Sequence, residues 1–154
     1  SELTHDEWSR IIDTNLTAAL LAARHQVPAL LAGRDPTLLF TSSFVGARVG
    51  LPGMAAYGAA KAGLIGLVNV LAAEHGPAGL RVNALLPGGT RTEMAAALLS
   101  DAAGEAFVTG LHALKRIAAP VEIARVATFL LSDAASFVTG SAIVADGVNS
   151  ITKL

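Results

Sequence analysis

The sequence predicts an α/β domain built on a parallel sheet, and three observations carry that prediction. Short strand-like segments occur at 37–40, 80–87 and 141–147, the first a continuous apolar run as expected of a strand buried on both faces. Longer stretches with apolar residues at helical spacing alternate with them, at 4–31, 54–75 and 120–131. Turn-forming residues punctuate the junctions, as in "GRDP" and Gly76-Pro77. Helix, strand, helix, strand, helix, strand is the order that parallel strands joined by crossover connections require.

Each element has its own signal. Thr4 and Glu7 fit a capping box, and Trp8, Ile11, Ile12, Leu16, Leu20, Ala23 and Val27 form a stripe running toward Leu31. Pro28 is expected to kink or shorten the last turns. "TLLF" at 37–40 is the first strand, ending in "TSS". The second helix spans about 54–75 and stops at Gly76-Pro77, and "LRVNALLP" at 80–87 is the second strand. Residues 88–119 read as a mobile or irregular connection with one or two short helices. Pro120 opens a third helix through Leu131, and "SAIVADG" at 141–147 is the third strand. No internal repeat or linker appears, so one domain over 1–154 is expected.

Composition narrows the function. The 154 residues are 53% hydrophobic and 15% charged with a mean hydropathy of +0.56, which suits one soluble core and is too apolar for disorder. Net charge is −1 and the 11 Lys and Arg are scattered, so neither nucleic acid nor an anionic membrane is an expected partner. There is no cysteine, which excludes disulfides and thiol chemistry and favours a reducing compartment. Residues 49–73 are membrane-like in hydropathy alone, but Lys61, a Pro-Gly turn and several glycines argue for a core helix. The start "SELTHDEWSR" lacks a signal-peptide pattern, and a cytoplasmic location is expected. His5, His25, His75 and His112 are dispersed and read as structural or exposed, with no metal site.

In such a sheet, chemistry belongs outside the carboxyl ends of the strands. Ser42 and Ser43 close the first, Gly88 and Gly89 the second, and Asp146 and Gly147 the third, and these ends are expected to share one crevice. Taken alone, Gly88-Gly89 is as readily a source of unusual backbone angles, and Asp146 is expected to shape the final turn. "YGAAKAG" places the chain's one tyrosine, Tyr57, one helical turn before Lys61. A phenol titrates near ~10 and a neighbouring cation favours the phenolate, so such a pair suits general acid and base work. Taken alone, the Y-x-x-x-K spacing arises easily by chance, and Tyr57 as a packing residue is the simpler reading.

Five separated motifs change that. Asn15 within the first helix, the Ser42-Ser43 pair, Tyr57 with Lys61, "RVNALLPGGTRT" and "FVTGSAIVADG" together resemble the short-chain dehydrogenase/reductase family, in order and nearly in spacing. The resemblance implies a Rossmann-like parallel sheet with flanking helices, NAD or NADP as cofactor, and hydride transfer to or from an alcohol or carbonyl. It implies Tyr57 as acid/base, Lys61 as its tuning cation and ribose contact, Ser43 as holder of the substrate oxygen, and Asn15 as holder of a water in the proton path. Pro87, Gly88, Thr90 and Thr92 match the turn beside the nicotinamide. It also implies a homodimer or homotetramer formed through the helices near 5–31 and 54–75.

Ser43 lies fourteen residues before Tyr57, one more than in many family members, so the "FVGARVG" loop must absorb a residue or Ser42 must share the role; Ser43 is favoured. No G-x-S-x-G supports a hydrolase nucleophile instead. The family's glycine-rich phosphate loop has no counterpart in this sequence, which is therefore expected to be the carboxyl-terminal part of a reductase, with the last three strands and most catalytic groups. Two functions follow: an NAD(P)-dependent oxidoreductase acting on a fairly apolar alcohol or carbonyl, walled by about 93–114, or a noncatalytic remnant or oligomerisation module that binds no cofactor by itself.

Overall fold

The computed structural model describes residues 2–96 and 98–151, so the outermost residues of the expected domain and Ala97 in the expected substrate wall lie outside the described residues. Three parallel strands, β1 (Thr37–Thr41), β2 (Arg81–Pro87) and β3 (Ala142–Ala145), form a sheet in the order β1-β2-β3. Thr37 aligns with Arg81 and Thr41 with Leu85; Ala84 aligns with Ala142 and Pro87 with Ala145. The central strand is buried from Val82 to Leu86, Asn83 included.

Helices α1 (His5–Ile12), α2 (Ala18–Leu31) and α3 (Ala55–His75) precede β2 in the chain, and α4 (Ala102–Leu111) and α5 (Pro120–Leu131) follow it. The main core joins α2 and α3 to one face of the sheet through Ala23, Val27, Leu64, Val68 and Ala72 against Phe40, Val82, Ala84 and Leu86. Each fully buried leucine or valine there contributes roughly 1.5–3 kcal/mol relative to exposure. By length and composition Ala55–Ala78 is apolar enough to cross a membrane, at mean hydropathy 1.4. Its packing against β2, with Leu64 and Val68 almost wholly buried, is that of a core helix.

Two expectations about the first helix need correction. Its stripe is broken by a π-helical segment, Asp13–Thr17, where the Thr14 hydroxyl donates to the Arg10 carbonyl (2.8 Å) and the Asn15 carboxamide to the Ile11 carbonyl (3.0 Å). Pro28 does not shorten α2, which continues to Leu31. Both Arg24 and Pro28 are exposed, so the carbonyl that loses its donor lies on the solvent side, where water satisfies it. The expected capping box is present: Thr4 Oγ1 accepts from the Glu7 N–H (3.2 Å) and Glu7 Oε2 from the Thr4 N–H (2.9 Å).

The connection after β2 holds a short helical turn, Glu93–Ala95, and one helix, α4, in keeping with the one or two short helices expected there. Gly89 O accepts from Ala118 N–H and Ala118 O from Arg91 N–H, both at 3.0 Å, so the two ends of the excursion are tied beside the strand end. Between them α4 is capped by Asp101, whose Oδ1 accepts from the Gly104 N–H at 2.7 Å.

Candidate active site

Residues named from the sequence gather around the carboxyl end of β1. Lys61, in the second turn of α3, donates from Nζ to the Thr41 carbonyl at 3.0 Å, and its Nζ lies 5.6 Å from the centre of the Tyr57 ring. Burial pushes the Lys61 ammonium below its ordinary pKa, because the charged form loses solvation as the stem packs under the strand end. Tyr57 is half-buried, and its hydroxyl makes no hydrogen bond to the described residues. Asn15 and Lys61 both line a groove of ≈ 350 Å³ along the free side of β1, with Thr14, Phe40, Thr41 and Leu64.

The two serines differ in their bonding. Ser42 Oγ donates to the Lys61 carbonyl at 2.7 Å, which ties the strand end to the α3 backbone. Ser43 Oγ accepts from the Val45 N–H at 3.1 Å, so its proton stays uncommitted to the described residues. The loop that follows folds back on itself: Gly46 N–H donates to Val49 O (2.8 Å) and Arg48 N–H to Phe44 O (2.9 Å). Gly46 has φ 87° and its Cα lies against Gly58, where a Cβ would be 3.5 Å away, so loop and helix meet backbone to backbone beside Tyr57. This contact is absent from the sequence reading, though a lone glycine next to Tyr57 was its available signal.

The second strand end is organised by crowding. Gly88 and Gly89 are not at positive φ, which removes the backbone-angle alternative; they are required by space. A Cβ on Gly88 would come 2.6 Å from Asp146 Cα, and one on Gly89 would come 2.7 Å from His112 Cε1. Thr90 Oγ1 donates to Gly88 O (3.0 Å), and Thr92 Oγ1 lies 3.5 Å from Thr90 O, so both hydroxyls sit on the turn that leaves Pro87. Asp146 shapes the final turn as expected, accepting from Val148 N–H (2.9 Å) and Ser150 N–H (2.8 Å). Burial raises the Asp146 pKa, but these bonds outweigh it and hold the carboxyl below its ordinary value.

Gly89, Asp146 and Gly147 border a second cavity of ≈ 350 Å³ with His112, Leu114 and Ile123, while Thr41 borders the groove containing Asn15 and Lys61. His112, read as unremarkable from the sequence, is 2% exposed between these elements.

Known proteins resemble the chain along nearly its whole length. The family model described as enoyl-(acyl carrier protein) reductase matches residues 1–147. Cyclohexanol dehydrogenase from Acinetobacter sp. (strain SE19) is 40% identical over 146 residues, 95% of this chain and 56% of that protein. A solved 4-hydroxyisoleucine dehydrogenase complexed with NADH superposes with TM-score 0.92 at 31% identity, covering 99% of this chain and 63% of the other. A short-chain type dehydrogenase/reductase from Mycobacterium ulcerans gives TM-score 0.92 at 30% identity, covering 99% and 55%. The chain thus spans somewhat over half the length of the proteins it matches. A match across nearly all its residues, on a shared parallel-sheet fold, makes this chain a member of the short-chain dehydrogenase/reductase family.

Proposed function

We propose that this chain carries the catalytic portion of an NAD(P)-dependent oxidoreductase acting on a cyclic or otherwise fairly apolar secondary alcohol or its ketone, in a soluble, cytoplasmic setting. The observation that carries the reading is the Tyr57–Lys61 pair, with Nζ 5.6 Å from the ring centre, on the first two turns of a helix whose backbone is bonded to the β1 end. Tyr57 serves as acid/base at the substrate oxygen, its unpartnered hydroxyl giving a proton in reduction and taking one in oxidation. Lys61 favours the negative charge that develops on that phenol oxygen. Ser43 presents its free proton to the same substrate oxygen, whereas Ser42 is occupied with the helix. Asn15, beside Lys61 in the groove, holds a water through which the proton reaches solvent.

The donors present fit the nicotinamide-ribose half of the cofactor. A half-buried ammonium, an unpartnered phenol and two threonine hydroxyls on the glycine-crowded turn are groups suited to a ribose diol and a carboxamide. Tyr57 and Lys61 would hold the ribose, and Pro87, Gly88, Thr90 and Thr92 the carboxamide. Bound there, NAD or NADP supplies or accepts the hydride. The substrate class is supported by the similarity to cyclohexanol dehydrogenase and by Met94, Leu98, Phe107 and Leu114, exposed apolar side chains of the 93–114 segment.

Oxidation of cyclohexanol and reduction of cyclohexanone, followed by the nicotinamide absorbance with NAD and with NADP, test the reading. Tyr57→Phe is expected to lower turnover by roughly 10²–10⁴-fold while leaving the protein folded; full turnover in that variant sinks the assignment. A folded, self-associating chain that binds neither nucleotide supports the oligomerisation module instead, a reading favoured by Leu20, Leu21 and Val70, which stand exposed on α2 and α3.

A further inference from the structure

His112 is a buried imidazole that the chemistry above does not use. Its Nε2 lies 3.1 Å from the Gly89 backbone N–H, which donates to it, and the Asn149 carboxamide nitrogen is 3.4 Å from the same atom. On its other side Nδ1 is 2.8 Å from the Val108 carbonyl, which can only accept. These partners fix the protonation state: Nδ1 carries the hydrogen, Nε2 is the acceptor, and the ring is neutral. A protonated ring would set an N–H against the Gly89 N–H. The Gly89 side of the contact has no slack, since a Cβ there would come 2.7 Å from Cε1; a Cβ on Gly147 would lie at ordinary contact distance, 3.4 Å from Cδ2.

We propose that His112 is a positioning residue whose neutral imidazole holds the 87–92 turn in place through Gly89, so that acidification releases the turn. The proposal rests on the reading that this turn faces the nicotinamide. Turn position then follows ring charge, because Gly88 is already crowded against Asp146 and Gly89 loses its acceptor when the ring is protonated. The charged groups around the ring come from every neighbouring element. Asp146 interacts with it electrostatically from the final turn; Glu122 and Arg125 of α5 and Arg116 of the preceding loop border the same cavity; Lys115 follows three residues on, with Nζ on Gly110 O. Glu122 is engaged with Arg116.

The test uses the whole chain and two variants. His112→Gln places an amide oxygen where Nε2 accepts and cannot titrate; His112→Phe keeps a ring and removes the acceptor. The Gly89 amide resonance and its hydrogen exchange are recorded by NMR against pH, and NADH and NADPH affinities are measured by fluorescence at about pH 8 and about pH 5.5. In the unsubstituted chain the Gly89 amide should shift and lose protection along the same curve as the His112 ring protons, with nucleotide binding weakened roughly tenfold at the lower pH. His112→Gln should bind with no such pH dependence, and His112→Phe should bind roughly tenfold more weakly at both. A Gly89 amide indifferent to His112 titration, or equal pH slopes in the unsubstituted and Gln chains, overturns the proposal. Absence of nucleotide binding while the Gly89 amide still follows His112 upholds the hold on the turn and favours the reading in which this chain binds no cofactor by itself.

Discussion

Single residues fix the geometry around Tyr57. Gly46 does so by lacking a side chain: its φ of 87° is a left-handed conformation, and a Cβ there would collide with the Gly58 carbonyl. Gly46→Ala combines backbone strain with a backbone clash, and a loss of about 2–4 kcal/mol is expected from the shift in denaturant midpoint. A loss under about 0.5 kcal/mol would mean that loop and helix separate freely. Glu122 shows the opposite case, a residue defined by its bonds. Its carboxylate accepts from both Arg116 guanidinium nitrogens at 2.7 Å and from the Ala119 N–H at 2.9 Å, holding its pKa at about 2. The folded value lies below the unfolded one near ~4.3, so the contribution to stability is complete above that pH and fades as pH falls through about 2. An NMR titration of the Glu122 carboxyl carbon should show that depressed midpoint; an ordinary glutamate midpoint would mean that the Arg116 fork is open in solution.

At the scale of elements, β2 supplies more than a ladder. Val82, Ala84 and Leu86 join the main core, and the alternating residues Arg81 and Asn83 reach toward α5 and its exit. Arg81 donates to the carbonyls of Leu130 (2.9 Å) and Ser132 (3.2 Å), capping the carboxyl end of α5 where a cation is also favoured by the helix dipole. Asn83 donates to Val138 O (2.8 Å) and accepts from Ser141 N–H (3.1 Å), which aligns the chain entering β3. Arg81→Lys keeps the charge and loses the planar fork; thermal unfolding should report a destabilisation of roughly 1–2 kcal/mol. An unchanged midpoint would reduce Arg81 to a solvated charge. "RVN" is visible in the sequence as part of a family pattern, but the backbone groups that Arg81 and Asn83 bond lie 49 to 58 residues away, beyond any local reading.

Across the whole molecule, the sheet has an open side. Among the described residues β1 pairs with β2 alone, and its other edge borders the groove that holds Asn15 and Lys61. Leu20 (48% exposed), Leu21 (49%) and Val70 (53%) stand on the helices proposed to join copies of the chain. Sedimentation velocity is expected to show a dimer or tetramer, and Leu21→Asp combined with Val70→Asp should shift it toward monomer; a monomer at high concentration before substitution would remove the helix-mediated interface.

Fold class and element order are legible in the sequence because apolar periodicity is a local property. Runs at 37–40 and 80–87 became β1 and β2 within a residue, and Pro120 and Leu131 bound α5 as read. The Tyr57–Lys61 pairing is legible for the same reason, since one helical turn separates them. What tertiary structure alone decided lies between distant segments: the crowding that makes Gly88 and Gly89 obligatory, the tie of Ser42 to the α3 backbone, and the burial of His112 against Gly89. Those features depend on where backbones from separate elements meet, and periodicity carries no information about that.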